Sequence, residues 1–163
     1  FCFDCRTDMI TPLSLSIVRT DSSDPTFNEL VRVLDAVLAE LDGPEHEFYA
    51  QFHMTHSLRH VVLVMHENKA IGCGAIKPLG HDVVEIKRMF VQPAYRGRAV
   101  GSFVLAALEA WASELGMKKC ILETGRRQPD AIRLYTKNGY RKIPNYGQYA
   151  GMINSVCFEK VIA

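Results

Sequence analysis

Three strand-length apolar segments separated by short polar turns constrain the fold of this chain more than any other feature. The segments cover 61–65, 70–76 and 83–91, and the turns cover 67–69 and 80–82. Connections this short join neighbouring strands that run in opposite directions. The middle of the chain therefore predicts an antiparallel meander of three strands.

A long helix follows the meander, because the apolar residues now recur at helical spacing. Its apolar stripe consists of Val100, Val104, Ala107, Leu108, Trp111 and Leu115. A buried strand at 120–122 then predicts a parallel, right-handed strand–helix–strand crossover. The other predicted elements are a strand at 13–18, a helix from Asp24-Pro25 to Gly43-Pro44, a short helix from 45 to about 56, a helix at 131–135 ended by Asn138-Gly139, and two final strands, the last at 156–161. The expected fold is an α/β domain with a mixed sheet and helices on both faces.

Length and charge limit the classes of function. A chain of 163 residues suits one domain, which we expect to cover 9–163, with 1–8 as a leader or a segment added upstream. The 19 basic and 18 acidic side chains nearly balance, which favours neither nucleic acid nor an anionic membrane as a partner. The five cysteines are odd in number and scattered, so the sequence predicts no disulfide framework and favours the cytoplasm.

The stretch 91–102 joins the third strand of the meander to the long helix and carries the clearest chemical signal. Small residues and two arginines, Arg96 and Arg98, stand where the helix begins. The first amides of a helix lack internal partners, and the helix dipole makes that end electropositive. The stretch therefore predicts a phosphate cradle. It lacks the Gly-Lys-Ser/Thr of a Walker loop and the G-x-G-x-x-G of a dinucleotide site.

The segment 96–101, Arg-Gly-Arg-Ala-Val-Gly, resembles the pyrophosphate-binding signature of the GNAT superfamily of N-acetyltransferases, Arg/Gln-x-x-Gly-x-Gly/Ala. Segments 85–91 and 131–140 resemble the family's fourth strand and final helix, in the same order. The resemblance implies a GNAT-like, mostly antiparallel sheet of about six to seven strands flanked by about four helices, with acetyl-CoA as cosubstrate. Ala99 departs from the usual glycine. Because alanine fits the first turn of a helix without strain, we expect CoA binding to be retained.

The resemblance also implies catalytic roles. Glu85 matches a general base for the amine, although it could instead be a surface glutamate paired with Lys87. Tyr135 matches the acid that protonates the CoA thiolate, although it could instead be a core tyrosine. The backbone amide of Met89 is expected to stabilise the oxyanion. The residues expected to bind the cosubstrate are Met89, Phe90, Val91, Arg96, Gly97, Arg98, Ala99, Val100, Gly101, Ser102 and Tyr135.

Weaker signals concern the acceptor. Glu45, His46 and Tyr49 of the predicted short helix, and Tyr146 and Tyr149 of a glycine-containing loop, are candidates to border it, with ordinary surface packing as the alternative. The pair 126–127, Arg-Arg, could meet phosphates or an acidic substrate, or form a solvated turn. Histidines at 53, 56 and 60 lack a carboxylate or cysteine at metal-ligand spacing, so no metal is predicted.

The sequence thus predicts an N-acetyltransferase that moves an acetyl group from acetyl-CoA to the primary amine of a small molecule in a ternary complex. Direct transfer is favoured because Cys120 is predicted to be buried without a paired base. The alternatives are a protein lysine or N-terminal acetyltransferase and a non-catalytic acyl-CoA-binding regulator. A closed pocket under Tyr146 and Tyr149 would favour the small molecule. The acceptor, the acyl chain and a homodimer stay open.

Overall fold

A computed structural model describes residues 12–54 and 57–163. The predicted leader at 1–8 and His56 lie outside these ranges. The helices and strands are β1 Ser16–Thr20, α1 Pro25–Asp42, α2 His46–Ala50, β2 His60–His66, β3 Lys69–Gly80, β4 Val83–Val91, α3 Val100–Glu114, β5 Lys119–Gly125, α4 Pro129–Lys137, β6 Arg141–Ile143 and β7 Ser155–Val161. Within the described ranges, every helix is too short or too polar to span a lipid bilayer.

The strands form one seven-stranded sheet in the order β1-β2-β3-β4-β5-β7-β6. The meander β2-β3-β4 is antiparallel, as predicted from its short turns. The strand β5 lies beside β4 and parallel to it after the α3 crossover, while β7 pairs with both β5 and β6 in antiparallel fashion. The predicted α/β class, with a mixed and mostly antiparallel sheet, is confirmed.

The helix α1 begins where the sequence predicts it. The Asp24 side chain accepts hydrogen bonds from the amides of Thr26 (2.8 Å) and Phe27 (3.4 Å), and Pro25 occupies the first turn. This cap satisfies amides that have no partner inside the helix. The helix ends at Gly43, whose φ of 53° favours glycine.

Two predicted boundaries were wrong. The helix predicted from 45 to about 56 is shortened to α2, because bonds from the Phe52 amide to the Tyr49 carbonyl (2.9 Å) and from the His53 amide to the Ala50 carbonyl (3.1 Å) tighten the chain into turns. The strand predicted at 13–18 is instead β1, whose bounds are set by its pairing with 61–65 of β2. The apolar residues Leu13 and Leu15 precede that pairing and pack against the core.

Two apolar layers cover the sheet. On the first face, hereafter the α3 face, α3 packs on Val62, Val64, Ile71, Val84 and Ile86. On the second, the α1 face, α1 packs on Val61, Leu63, Cys73, Ala75 and Phe90. The helix α3 approaches β3 closely because Gly74 has no side chain. A Cβ there would lie 2.8 Å from Leu108 Cδ1 and 2.9 Å from Val104 Cγ1.

Candidate active site

The parallel strands β4 and β5 separate along half their length. Their pairing covers Val83↔Lys119, Val84↔Cys120 and Glu85↔Ile121. Beyond Glu85, β4 continues to Val91 and β5 continues to Gly125 outside that ladder. Strands that part in this way leave backbone amides and carbonyls facing the gap, where an extended ligand can pair with them.

A bulge in β4 accompanies the separation. The β3–β4 register shifts between Cys73 and Ala75, so that Arg88 and Met89 lie opposite Gly74. Arg88 has φ 59°, in the left-handed region that side-chain-bearing residues rarely adopt. Bulges bend the strand that carries them and increase its twist. The bulge therefore accounts for the turn of β4 away from β5.

A cavity of about 90 Å³ lies at this gap. Its lining combines four ionisable residues of β4 and β5 with a tyrosine of α4 and apolar residues of α1. The lining residues are Leu34, Leu38, Phe52, His53, Glu85, Ile86, Lys87, Arg88, Met89, Glu123, Thr124, Gln128, Tyr135 and Tyr149. Three predicted catalytic residues, Glu85, Met89 and Tyr135, are thus brought together.

Glu85 lines the cavity and is 5% exposed. The Tyr146 hydroxyl donates to Glu85 Oε1 at 3.0 Å, and Lys87 Nζ lies 3.4 Å from Oε2. Burial and the Glu85 charge both raise the pKa of Tyr146, which keeps its hydroxyl a donor. The predicted pairing with Lys87 therefore coexists with a cavity position, and the carboxylate is buried rather than on the surface.

Glu123 is a second carboxylate in the same cavity, and it was not predicted from the sequence. Burial is the main reason that its pKa rises from 4.5 to about 7, and a hydrogen bond with Ser155 partly opposes the rise. A signal was present: Cys120 and Leu122 alternate with Ile121 and Glu123 along β5, which sets the glutamate on the opposite face from the apolar pair.

Tyr135 reaches the cavity from α4 and is 5% exposed. Its ring packs against Tyr140 at 5.8 Å and Phe158 at 5.9 Å between centroids, so it is also a core residue. Burial raises its pKa, and the charge of Glu123 raises it further. The phenol therefore retains its proton at neutral pH and is available as a donor.

The predicted acceptor residues separate into two groups. Tyr149 lines this cavity, and Tyr49 lines an adjoining one that also contains Glu123. Tyr146 reaches the site through its bond to Glu85. The other two predicted residues, Glu45 and His46, lie outside the linings of both cavities. Glu45 accepts from Asn154 Nδ2 at 2.8 Å, and His46 Nδ1 lies 3.6 Å from Asp42 Oδ2.

The predicted phosphate cradle lies at the start of α3. The carbonyl of Ala99 accepts from the Phe103 amide at 3.0 Å, so the amides of 100–102 are the first of the helix. The segment Arg96 to Ala99 is exposed, and Gly97 has φ 72°. Apart from Gly97 and its two chain neighbours, no atom of the described residues lies within 4 Å of the position that a Cβ would take. Small exposed residues before a helix N-terminus leave room for a phosphate.

The expectation that Ala99 is unstrained was wrong. Its φ of 61° and ψ of 13° are left-handed, because it caps the helix instead of lying in the first turn. A Cβ in that region crowds the backbone, which explains why glycine suits the position.

Other cradle residues have structural partners. Arg96 Nε donates to the Val91 carbonyl at 3.1 Å, and its guanidinium lies 5.8 Å from the Phe90 ring centroid. A Cβ on Gly101 would lie 3.1 Å from Leu134 Cδ2, so this glycine permits the contact of α3 with α4. Ser102 Oγ accepts from Asn138 Nδ2 at 3.0 Å. The cradle is thereby fixed to both β4 and α4.

The arginine pair forms structural contacts. Arg126 Nε donates to the Ile153 carbonyl at 3.0 Å, and Arg127 Nη1 donates to the Leu41 and Asp42 carbonyls at 3.2 and 3.1 Å. Arg127 thus satisfies carbonyls at the end of α1. Within 12–54 and 57–163, no three His, Cys, Asp or Glu residues form a group that could hold a metal ion.

Three cysteines fall within the described ranges, and all are buried as free thiols. Burial raises the pKa of Cys73 to about 12, and those of Cys120 and Cys157 to about 11. Because the thiolate is the nucleophile, these side chains are inert at neutral pH.

Comparison with known proteins gives a consistent result. The family model described as "Acetyltransferase (GNAT) family" matches residues 26–140, a range that includes the cradle, both cavity carboxylates and Tyr135. The "IAA acetyltransferase" of Azospirillum brasilense is 31% identical over 150 residues, which are 90% of this chain and 97% of that protein.

Solved structures agree. The structure of a protein described as an acyl-CoA N-acyltransferase from Klebsiella pneumoniae has a TM-score of 0.79 at 31% identity, covering 92% of this chain and 99% of that one. The PaiA N-acetyltransferase of Thermoplasma acidophilum, solved in complex with coenzyme A, has a TM-score of 0.66 at 18% identity, covering 91% and 99%. The second likeness concerns the fold alone.

Proposed function

Because this chain belongs to the acetyltransferase (GNAT) family and is an acyl-CoA-dependent N-acyltransferase, we propose that it transfers the acetyl group of acetyl-CoA to the primary amine of a small molecule. One observation carries the proposal. The separation of β4 from β5 opens a cavity lined by two carboxylates and a protonated phenol, and the same β4 leads into the cradle at α3.

The donor would bind along this path. The pyrophosphate of CoA would lie on the amides of 100–102, with Arg96 and Arg98 adding positive charge. The pantetheine arm would extend in the gap and pair with the backbone of Met89 and Val91 as an added strand does. This arrangement delivers the thioester to the cavity that contains Tyr135.

The reaction requires three proton transfers: the ammonium loses one proton before the attack, the nitrogen loses a second one after it, and the thiolate gains one. Glu85 would take a proton from the ammonium form of the acceptor, directly or through water, and the free amine would attack the thioester carbonyl. The Met89 amide would stabilise the tetrahedral oxyanion. Collapse breaks the carbon–sulfur bond, and the Tyr135 hydroxyl would protonate the departing thiolate. The nitrogen then loses its second proton, which would restore the Tyr135 hydroxyl directly or through water.

Glu123 is the second candidate for the base. Its pKa of about 7 lies near the operating pH, which is the optimum for proton transfer. Glu85 already accepts one hydrogen bond from the Tyr146 hydroxyl and lies near Lys87 Nζ, whereas the Glu123 carboxyl has a hydrogen bond with the Ser155 side chain. The two carboxylates line one cavity, so either could receive the proton.

Two features support direct transfer to a small molecule. The described cysteines are buried with raised pKa values, which disfavours an acyl-cysteine intermediate. The cavity is bordered by α1, by Phe52 and by Tyr149, and its volume of about 90 Å³ suits a small amine better than a protein surface. The paired acid and base groups disfavour a purely regulatory role.

The test is a thiol-release assay with acetyl-CoA over a panel of amines, alongside thermal unfolding with added CoA. We expect CoA to raise the unfolding temperature and at least one small amine to release thiol. Glu85→Gln and Glu123→Gln should both lower kcat. The variant that removes the actual base should lower it by about 100-fold or more. Glu109→Gln on α3 is the matched control, since Glu109 is outside the cavity lining and bonds Tyr140 and Lys160.

The outcomes separate the alternatives. CoA binding without turnover of any amine would favour the regulator or a protein substrate. Full kcat in both glutamine variants at every pH would exclude a carboxylate base.

A further inference from the structure

Arg88 combines three features that the proposed chemistry does not use. It is the bulge residue of β4, with a left-handed φ of 59°. Its side chain is 2% exposed, and it lines the cavity beside Glu85 and Glu123. A buried cation at a strained backbone position next to a cavity is expected where a protein needs a fixed binding group.

The partners of this guanidinium are incomplete. Arg88 Nη2 donates to Asp35 Oδ1 of α1, and Asp35 itself is 48% exposed. Arg88 Nε is buried and has no hydrogen-bond partner among residues 12–54 and 57–163. Buried polar groups are nearly always hydrogen-bonded, so an orphaned donor on a residue that lines a cavity requires an explanation.

The other ionisable groups of the lining divide the cavity by charge. Lys87 lies beside Glu85, and burial together with the Arg88 charge lowers the pKa of His53 to about 4, so that imidazole is neutral. The lining thus contains two cations, Lys87 beside Glu85 and Arg88, whose ion-pair partner Asp35 lies outside the lining, together with the Glu85 carboxylate and the partly ionised Glu123. This pattern is complementary to a zwitterion.

We propose that the acceptor is an amine that also carries a carboxylate, as an α-amino acid does, and that the Arg88 guanidinium binds this carboxylate. The inference rests on the proposed function and names its substrate class. The planar fork of arginine matches the two carboxylate oxygens, and Nε would gain the partner that it lacks. The amine would then lie towards Glu85 and Glu123.

The test compares matched substrates. L-alanine, L-leucine, L-methionine, L-phenylalanine, L-glutamate and L-lysine are each assayed against the corresponding α-carboxamide, with acetyl-CoA and thiol release. For an amino acid that is a substrate, we expect kcat/KM to exceed that of its α-carboxamide by about 100-fold. A ratio of this size is what the loss of a hydrogen bond between charged groups produces. Amides accepted as well as acids would overturn the inference.

Variants then assign the preference to Arg88. Arg88→Gln should reduce the acid-to-amide ratio of kcat/KM to about one, and Arg88→Lys, which keeps the charge without the fork, should give an intermediate ratio. Asp35→Asn is the matched control, because it breaks the ion pair but leaves the guanidinium and should retain the ratio. An unchanged ratio in Arg88→Gln would mean a structural role and overturn the inference.

Two kinds of failure stay distinguishable. If Arg88→Gln does not fold, the acid-to-amide ratio of kcat/KM in the wild type and in Arg88→Lys still tests the inference. Turnover of amides or simple amines alone would overturn this inference and leave the proposed function standing. No turnover of any amine, despite CoA binding, would overturn both.

Discussion

The α3 face and the α1 face of the sheet contribute different kinds of side chain to the surroundings of the candidate site. The α3 face is an apolar layer, with Val104, Leu105 and Leu108 of α3 fully buried against the strands. The α1 face contains buried charges, among them Glu85 at 5% and Arg88 at 6% exposure. On the first face, the predicted cradle uses backbone amides of one contiguous stretch. On the second, the cavity uses single side chains from separate elements.

This difference has a physical basis. Every CoA molecule presents the same pyrophosphate, so a helix N-terminus with small residues can bind it without special side chains. The acceptor must be recognised and deprotonated, which requires charged groups whose environments shift their pKa values. We therefore expect substitutions on the α3 face to act on folding and CoA affinity, and substitutions on the α1 face to act on kcat and pH dependence.

The largest expected effect is at Tyr135, which belongs to α4 on the α3 face yet lines the cavity. Tyr135→Phe removes only the hydroxyl, so kcat should fall by about 100-fold or more if the phenol protonates the thiolate. CoA affinity, measured by the shift in unfolding temperature, should change little. Tyr140→Phe is the control, because Tyr140 packs on Tyr135 but donates to Glu109 on α3. Equal kcat values for the two variants would contradict the acid role.

The next effect tests the close packing of the α3 face. A Cβ on Gly74 would lie 2.7 Å from Met89 Sδ and within 2.9 Å of two α3 side chains. Gly74→Ala should therefore lower the free energy of unfolding by about 3 kcal/mol, as overpacked cores do. Urea unfolding measures this.

The control for Gly74 is Gly101→Ala. Its Cβ would meet only the end of the Leu134 side chain, at 3.1 Å, and alanine favours the helix. If Gly101→Ala lowers the free energy of unfolding as much as Gly74→Ala does, the close approach of α3 to β3 is not the reason that position 74 requires glycine.

The third effect, on the α1 face, is a pH dependence of stability. Glu123 has a pKa of about 7 in the folded chain against an ordinary 4.5, so between these values the folded chain holds more protons than the unfolded chain. The free energy of unfolding contributed by this group therefore falls as pH rises from 4.5 to about 7, by about 3 kcal/mol in all. Glu123→Gln should lack this loss.

His53 acts in the opposite direction. Its pKa is about 4 in the folded chain against an ordinary 6.5, so its contribution to stability rises with pH across that window. Because wild type and Glu123→Gln both retain His53, the difference between their urea-unfolding curves from pH 4.5 to 7.5 isolates the glutamate. Parallel curves would contradict the raised pKa of Glu123.

The sequence predicted the α3 face better than the α1 face, for reasons visible in particular residues. The meander and the helix that begins at Val100 are contiguous patterns, so the sequence predicted both, while phosphate binding at 96–101 stays a prediction. Glu123 and Arg88 gain their roles from a strand separation and a bulge, which depend on the pairing of distant segments. The strain at Ala99 was missed because a shift of one residue in the helix start changes the backbone region. The catalytic roles, the cytoplasmic location and a homodimer stay predictions.

The smallest expected effect concerns Ala99. A side chain at φ 61° costs about 1–2 kcal/mol, and glycine avoids this but loses about 0.5–1 kcal/mol in backbone entropy. Ala99→Gly should thus raise the free energy of unfolding by roughly 0.5–1 kcal/mol and leave kcat unchanged, since Ala99 lies outside the lining of the cavity between β4 and β5. Ala110→Gly, at an exposed position inside α3, is the control and should lower it by about 1 kcal/mol. If Ala99→Gly raises the free energy of unfolding and Ala110→Gly lowers it, the strain lies at Ala99. If both substitutions lower it by the same amount, the left-handed backbone at Ala99 is contradicted.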